Sequence, residues 1–313
     1  MNPFRLSSRP IVVVGAGAVG CYYGALLARS GLPVTLIGRP AATAAILKNG
    51  VHVTSEAGAF TASVRATDDV TIAREAALAI ICVKSSDTLQ TAHALRNHLP
   101  DDALVLSLQN GVTNAETLLR ALSQDVVAAA VYVATALEAP GQVRHFGGGS
   151  LAIGSPRERP VTPERMRQLA EMLREAAIDT TVSEDIASVL WGKLAVNCAY
   201  NGLSALTQQP YGALMASPAI REVIQTLASE TIEVARARQI DLPDDMLDRV
   251  MKVADLMPGQ RSSTAQDLAR GRPTEIDFLN GYVAAEGKRL GIPTPANQTV
   301  FALVKQVEPA ATR

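Results

Sequence analysis

Cysteine is scarce in this sequence, as are histidine, runs of one charge and long apolar stretches. The three cysteines, Cys21, Cys82 and Cys198, lie far apart, each inside an apolar run and with no CxxC among them. That spacing excludes a disulfide framework and points to a reducing compartment, the cytoplasm. The four histidines show no ligand spacing, so no metal is expected. Lys and Arg number 29 against 30 Asp and Glu, without a basic cluster, which removes the electrostatic footprint of a nucleic-acid or membrane-surface binder. The longest nearly unbroken apolar run, Val126 to Leu137, falls short of the ~20 residues that a spanning helix needs. Met1 to Pro10 has no apolar core of the kind a secretory leader carries. What remains is an ordinary soluble chain of 313 residues, 48% hydrophobic, long enough for two domains each with its own core.

The first half alternates short β-branched runs with helical patterns. Ile11-Val12-Val13-Val14 reads as a buried strand and runs directly into Gly15-Ala16-Gly17-Ala18-Val19-Gly20, after which a helix pattern extends to Ser30 and is closed by Gly31. Pro33 to Ile37 is the next strand. Glycines in this spacing are a weak signal alone. Between a strand and a helix, inside a βαβ unit, they form a dinucleotide fingerprint: Gly15 for the turn, Gly17 for close backbone approach to a pyrophosphate, Gly20 for helix–strand packing. Phosphates would meet free N–H groups at the positive helix end. The second strand ends in Ile37-Gly38-Arg39, without the carboxylate that would hold a ribose 2′-hydroxyl. Arg39 can instead pair with a 2′-phosphate, which favours NADP over NAD. A solvated loop charge is the competing account of Arg39.

Val51 to Val64 alternates around Glu56-Ala57-Gly58 and reads as a hairpin inserted into the sheet. Ala76 to Val83 is a further buried strand ending at Lys84. A helix over Ser86–His98 and a strand over Ala103–Leu108 follow, and the strand ends at Gln109-Asn110-Gly111. Lys84 and Asn110 thus stand at strand carboxyl ends, the edge where open α/β sheets bind ligands. For Lys84 an ordinary loop lysine is the competing account, and for Asn110 a plain Asn-Gly turn, although at this edge its amide can meet a nicotinamide ribose or a substrate. Val126–Leu137, Gln142–Phe146 and Ser150–Ile153 continue the β content, separated by turns at Pro140-Gly141 and Gly147-Gly148-Gly149. Pro163–Ala177 reads as a helix and Asp179–Val182 as a strand.

From Glu184 onward the patterns are helical, punctuated by Pro210, Pro218, Pro243, Pro258 and Pro273. The shift sets the expected domains at 1–183 and 184–313. The stretch from Glu184 to about Leu206 is apolar almost all round, as a helix buried inside a protein would be. Into it the sequence sets Lys193, Asn197 and Asn201, four residues apart, so that their polar ends rise along one stripe at ~6 Å intervals. A lone lysine there would snorkel to water. With two asparagines beside it, a lined polar cleft for an anionic ligand is the stronger reading. Thr274-Glu275, after Arg261-Ser262-Ser263-Thr264-Ala265-Gln266-Asp267, reads as the opening of another helix, with the carboxylate at its positive end.

These segments together resemble the ketopantoate reductase (2-dehydropantoate 2-reductase) family. The likeness runs from Ile11 to about Lys305 and rests on Gly15–Gly20, on Gln109-Asn110-Gly111, and above all on W-x-K-L-x-x-N at Trp191–Asn197 and S-S-x-x-Q-D…T-E-I-D at Ser262–Asp277. It implies an α/β protein: a Rossmann-type dinucleotide-binding domain followed by an all-helical domain like the carboxyl-terminal one of 6-phosphogluconate dehydrogenase. It further implies reduction of 2-dehydropantoate by NADPH to (R)-pantoate, a precursor of pantothenate. By resemblance Lys193 is the catalytic lysine, which also binds substrate, and Asn197 and Asn201 are substrate-binding. Ser263 corresponds to the serine that holds the substrate carboxylate, and Glu275 to the catalytic acid that orients substrate and cofactor. Lys84 and Asn110 correspond to cofactor contacts, Asn110 also facing the substrate, while Gly15, Ala16, Gly17, Ala18, Val19, Gly20 and Arg39 make up the rest of the cofactor set. Tyr211 stands where a further substrate-binding asparagine is expected, and Gln260 where some members have asparagine. A paralogous reductase of another 2-oxo acid, a β-hydroxyacid dehydrogenase and an NADPH-binding sensor without turnover remain the alternatives, and a homodimer is left open.

Overall fold

The computed structural model describes residues 9–309. The reading of Met1 to Pro10 falls almost wholly outside them. The chain divides into two compact units, with the break after Ile186.

In the first unit, β1 (Ile11–Val14), α1 (Ala18–Arg29), β2 (Val34–Ile37) and α2 (Pro40–Asn49) come first, then the hairpin β3 (Val51–Ser55) and β4 (Gly58–Ala62). The three-residue β5 (Arg65–Thr67), β6 (Leu78–Ile81), α3 (Thr88–Leu95), β7 (Leu104–Ser107) and α4 (Asn114–Ala121) follow. Two long strands, β8 (Asp125–Ala139) and β9 (Gln142–Gly154), α5 (Pro163–Glu175) and β10 (Thr180–Val182) complete the unit. Neighbouring strands run β5-β2-β1-β6-β7-β8, all parallel. From β1 the chain adds β2 and, after the β3–β4 hairpin, β5 on one side, then returns past β1 and builds outward the other way from β6 to β8. The reversal between β1 and β6 is the topological switch point of a Rossmann-type sheet.

Parallel strands are covered on both faces, which is why β1 and β6 are apolar throughout rather than alternating. On one face Ile11, Val13, Leu36, Ile80 and Leu106 pack with Tyr23 and Leu27 of α1 and Leu169 and Leu173 of α5. On the other, Val12, Val14, Ile81 and Val105 pack with Ala92 and Leu95 of α3 and Leu118 of α4. Full burial of each Leu or Ile contributes ~1.5–3 kcal/mol, so both layers hold the central strands rigid.

The expected hairpin is part of the sheet: β3–β4 extends it at the far side, β3 pairing with β9 at His52–Thr54 against Gln142–Arg144. Three segments differ from the sequence expectation. Gly147-Gly148-Gly149 is not a turn between two strands but part of β9, which pairs antiparallel with β8 through register shifts. Gly148 has φ +72°, and a Cβ there would lie 2.3 Å from the Tyr132 carbonyl oxygen, so a bulged strand with bare backbone replaces the turn. The helix expected over Ser86–His98 begins with a 3₁₀ turn at Ser85–Asp87 and is regular only over Thr88–Leu95. Thr274-Glu275 opens no helix: a single 3₁₀ turn at Ile276–Phe278 follows it.

The second unit is helical: α6 (Ile186–Thr207), α7 (Tyr211–Ala216), α8 (Pro218–Ala237), α9 (Met246–Leu256), α10 (Ser263–Ala269), α11 (Asn280–Leu290) and α12 (Pro295–Val307). Pro218 and Pro295 occupy first helical positions, where a missing N–H costs nothing. Leu194, Ala195, Cys198, Ala199 and Tyr200 of α6 are all fully or almost fully buried. At Gly202 a Cβ would lie 2.2 Å from Val300 Cγ1, so α12 crosses α6 closely there. Asn280 Nδ2 donates to the Cys198 carbonyl and to Asn297 Oδ1, both at 2.9 Å. Glu230, buried on α8, accepts from the backbone N–H groups of Ala296 and Asn297 at 2.9 Å and from Asn297 Nδ2 at 2.8 Å. A carboxylate at the start of α12 is satisfied by the free donors there. This network ties α6, α8, α11 and α12 together.

Candidate active site

In the first unit Gly15, Arg39, Lys84 and Asn110 follow the carboxyl ends of β1, β2, β6 and β7, neighbours across the switch point. Gly15 has φ +110°, and a Cβ on it would lie 2.7 Å from the Cys82 backbone. A Cβ on Gly20 would fall 2.0 Å from the Gly15 oxygen, so only glycine lets α1 start this close to the turn. Gly17 differs: nothing lies within 4 Å of where its Cβ would be, and it is the N-cap of α1 with no side-chain cap. The helix start is therefore open, bare and rich in unpaired N–H groups, which fits a pyrophosphate. Ala16, Ala18 and Val19 complete that loop. Gly38 packs against Ala16 closely enough that a Cβ would meet the alanine Cβ at 2.7 Å. Arg39 is exposed and is the N-cap residue of α2; its carbonyl accepts from the Ala42 and Thr43 N–H groups, while its guanidinium pairs with no described residue.

The loops after β6 and β7 are braced against each other by buried polar side chains that the sequence reading passed over. Gln109 Nε2 donates to the Val83 carbonyl at 3.1 Å and to Thr88 Oγ1 at 2.7 Å. Thr88 Oγ1 donates to Asn114 Oδ1 at 2.8 Å, and Asn114 Nδ2 donates to Ser85 Oγ at 3.1 Å and the Asn110 carbonyl at 2.6 Å. Ser85 Oγ donates to that same carbonyl at 3.1 Å. Lys84 and Asn110, both half-buried, thus sit on loops with fixed backbones. Only the pairing of loops distant in the chain reveals this brace.

In the second unit, Lys193 and Asn197 are half-buried and Asn201 is 3% exposed, on successive turns of α6. Desolvation lowers the Lys193 ammonium to about 8, while the charge of the half-buried Glu275 pulls it back up. An amine poised so near neutrality can both stabilise an anion and give up a proton. Because Glu275 is followed by one short 3₁₀ turn, a helix-dipole role no longer accounts for it. Asn201 Oδ1 accepts from the Tyr211 hydroxyl at 3.1 Å, and Ser262 Oγ donates to the Asn201 carbonyl at 3.0 Å. Ser262 is the buried N-cap of α10, bonded to the Ala265 N–H; the neighbouring Ser263 is exposed at the first helical position. Tyr211 and Gln260, the two departures from the family pattern, are joined: the Tyr211 N–H donates to the Gln260 carbonyl at 2.9 Å. Lys193 with Glu275, and Asn201 with Tyr211 and Ser262, are thus two clusters carried by the same helix, α6, within the helical unit.

Comparison with known proteins agrees over nearly the whole chain. Residues 11–158 match the family model described as ketopantoate reductase PanE/ApbA, and residues 185–308 match its C-terminal model. The 2-dehydropantoate 2-reductase of Halobacterium salinarum is 33% identical over 299 residues, covering 94% of this chain and 97% of that protein. The crystal structure of a PanE/ApbA family ketopantoate reductase from Ralstonia eutropha JMP134 is 44% identical, with a TM-score of 0.89 over 96% of this chain and 98% of that one. A D-mandelate dehydrogenase in ternary complex with NADH and anilino(oxo)acetate reaches the same TM-score at 25% identity, over 96% and 98% of the two chains. The open Gly17 loop at a Rossmann switch point, the near-neutral lysine beside a carboxylate, and these matches lead to one conclusion: the chain belongs to the ketopantoate reductase (PanE/ApbA) family of nicotinamide-dependent oxidoreductases.

Proposed function

We propose that this protein is an NADPH-dependent 2-dehydropantoate 2-reductase, forming (R)-pantoate for pantothenate synthesis. The observation that carries the reading is Lys193, desolvated to about 8 with Glu275 acting on its charge, on a helix face that also bears Asn197 and Asn201. The names of the relatives at 30–33% identity over nearly their full length support the substrate.

NADPH, when bound, supplies the hydride that reaches C2 of the oxo acid. Lys193, as ammonium, stabilises the negative charge growing on the C2 oxygen and donates its proton there, giving the 2-hydroxy acid. Glu275 holds the ammonium and a substrate hydroxyl and helps orient the cofactor. Asn197, Asn201 and Ser263 fix the substrate's orientation, Ser263 at the carboxylate. The Gly15–Gly20 loop takes the pyrophosphate, Arg39 the 2′-phosphate, and Lys84 and Asn110 the inner part of the cofactor. The protein is taken to be cytoplasmic, in keeping with three unpaired cysteines that are buried or half-buried. A homodimer is checked by light scattering.

The test is NADPH oxidation followed at its absorbance band with a panel of 2-oxo acids. Kinetic preference for 2-dehydropantoate is expected; preference for phenylglyoxylate would move the protein to the mandelate-type reading that the D-mandelate dehydrogenase likeness favours. Arg39→Ala is expected to lower the kcat/KM ratio of NADPH over NADH about fivefold, since one exposed charge-assisted contact is worth ~1 kcal/mol. Arg39→Asp should reverse the preference. A wild type without preference for NADPH would remove Arg39 from the cofactor set.

A further inference from the structure

Asn197 and Asn201 carry side-chain amide donors that no described residue accepts. Asn201 is the more telling, because the residue is only 3% exposed and yet its Nδ2 is not among the fully enclosed, unpartnered polar atoms, so the small surface it keeps includes a free donor. Its amide oxygen, by contrast, is occupied by the Tyr211 hydroxyl at 3.1 Å. Tyr211 has little room to move. Its backbone N–H is held by the Gln260 carbonyl at 2.9 Å. Its ring lies 4.7 Å from that of Tyr200 at 37°, and the Tyr200 hydroxyl donates to the Val250 carbonyl at 3.1 Å. Both rings are buried. The start of α10 is tied to the same turn of α6: Ser262 donates from Oγ to the Asn201 carbonyl at 3.0 Å and from its N–H to Ser204 Oγ at 3.3 Å.

We infer that Tyr211 is a positioning residue that makes the site selective for anionic 2-oxo acids: by holding Asn201 Oδ1, it presents Asn201 Nδ2–H₂ as a donor to the substrate carboxylate. A primary amide has two faces of opposite polarity, related by a half-turn. Turned the wrong way, Asn201 would set an oxygen against the carboxylate, and like partial charges repel. When Nδ2 is turned to the carboxylate, the tyrosine hydroxyl acts as donor and satisfies Oδ1, so the binding orientation leaves no amide oxygen unpaired. Phenylalanine at 211 would leave Oδ1 without that donor in the binding orientation.

The inference rests on the reductase reading of the Lys193 helix but not on which 2-oxo acid is reduced. Its test compares 3-methyl-2-oxobutanoate with its neutral methyl ester in Tyr211→Phe, which removes only the hydroxyl. The ratio of kcat/KM for acid over ester is expected to fall about fivefold. The loss should lie in KM, since the carboxylate bears the same charge in ground and transition states. In an Asn201→Ala background, Tyr211→Phe should cause no further change in that ratio. An unchanged ratio overturns the inference, including where the variant merely melts lower, and so does a loss that persists without Asn201. A wild type that prefers another oxo acid to 2-dehydropantoate strikes the proposed substrate and leaves this test standing, because every 2-oxo acid carries the carboxylate. A wild type that reduces no 2-oxo acid overturns both.

Discussion

Replacing Lys193 with alanine is expected to lower kcat by ~100- to ~10,000-fold, the range over which general acid catalysis contributes, while leaving the affinity for NADPH nearly intact. Lys193 belongs to the helical unit, whereas the glycine loop and Arg39 belong to the first, so the two measurements separate chemistry from cofactor binding. Unchanged kcat would end the assignment. The wild-type pH profile should show the same lysine. With an ammonium held at about 8 by desolvation against the pull of Glu275, kcat/KM for reduction should fall above pH ~8, about tenfold per unit as the proton is lost. Stability follows with its own sign. The folded pKa lies below the ordinary value of 10.5, so the unfolded chain binds the proton more strongly between the two. The burial penalty is fully present below pH ~8 and disappears as pH rises through 10.5. Lys193→Met keeps the aliphatic stem and drops the charge. It should melt no lower than wild type at neutral pH while being as inactive as the alanine variant.

Glu275→Gln keeps the shape and removes the charge. Since the Glu275 carboxylate raises the lysine's pKa, its loss should move the falling limb of the pH profile to lower pH. At neutral pH fewer molecules would then carry the ammonium, and the contact to a substrate hydroxyl would be weakened as well. A fall in kcat/KM for the oxo acid of ~10-fold or more is expected, with the melting temperature little altered. Wild-type kinetics with a lowered melting temperature would instead make Glu275 a structural charge. The single 3₁₀ turn that follows it, in place of a helix, argues in advance against that outcome.

How much of this was legible in the chain depends on the range of the interaction concerned. The βαβ unit at Ile11–Ile37, the glycine fingerprint and the Lys193–Asn197–Asn201 stripe are local patterns. A strand buried on both faces must be apolar throughout, a glycine turn must precede a helix start, and a helix repeats its faces every 3.6 residues. Those rules act within some thirty residues, so the amino-acid order alone determined the two-part architecture and most of the candidate residues. Long-range pairing decided the rest. Gly147-Gly148-Gly149 reads as a turn until β8 pairs alongside and converts it into a bulge. The three-residue β5 has no signal of its own and exists because β2 offers it an edge. The brace of Gln109, Thr88, Asn114 and Ser85 joins loops more than twenty residues apart. Tyr211, in sequence only a departure from a family pattern, acquires a partner when the chain turning between α6 and α7 brings its hydroxyl to Asn201. The desolvation that lowers Lys193, and the Glu275 charge eighty-two residues away that opposes it, likewise exist only in the folded chain, because a pKa responds to neighbours in space and not in sequence.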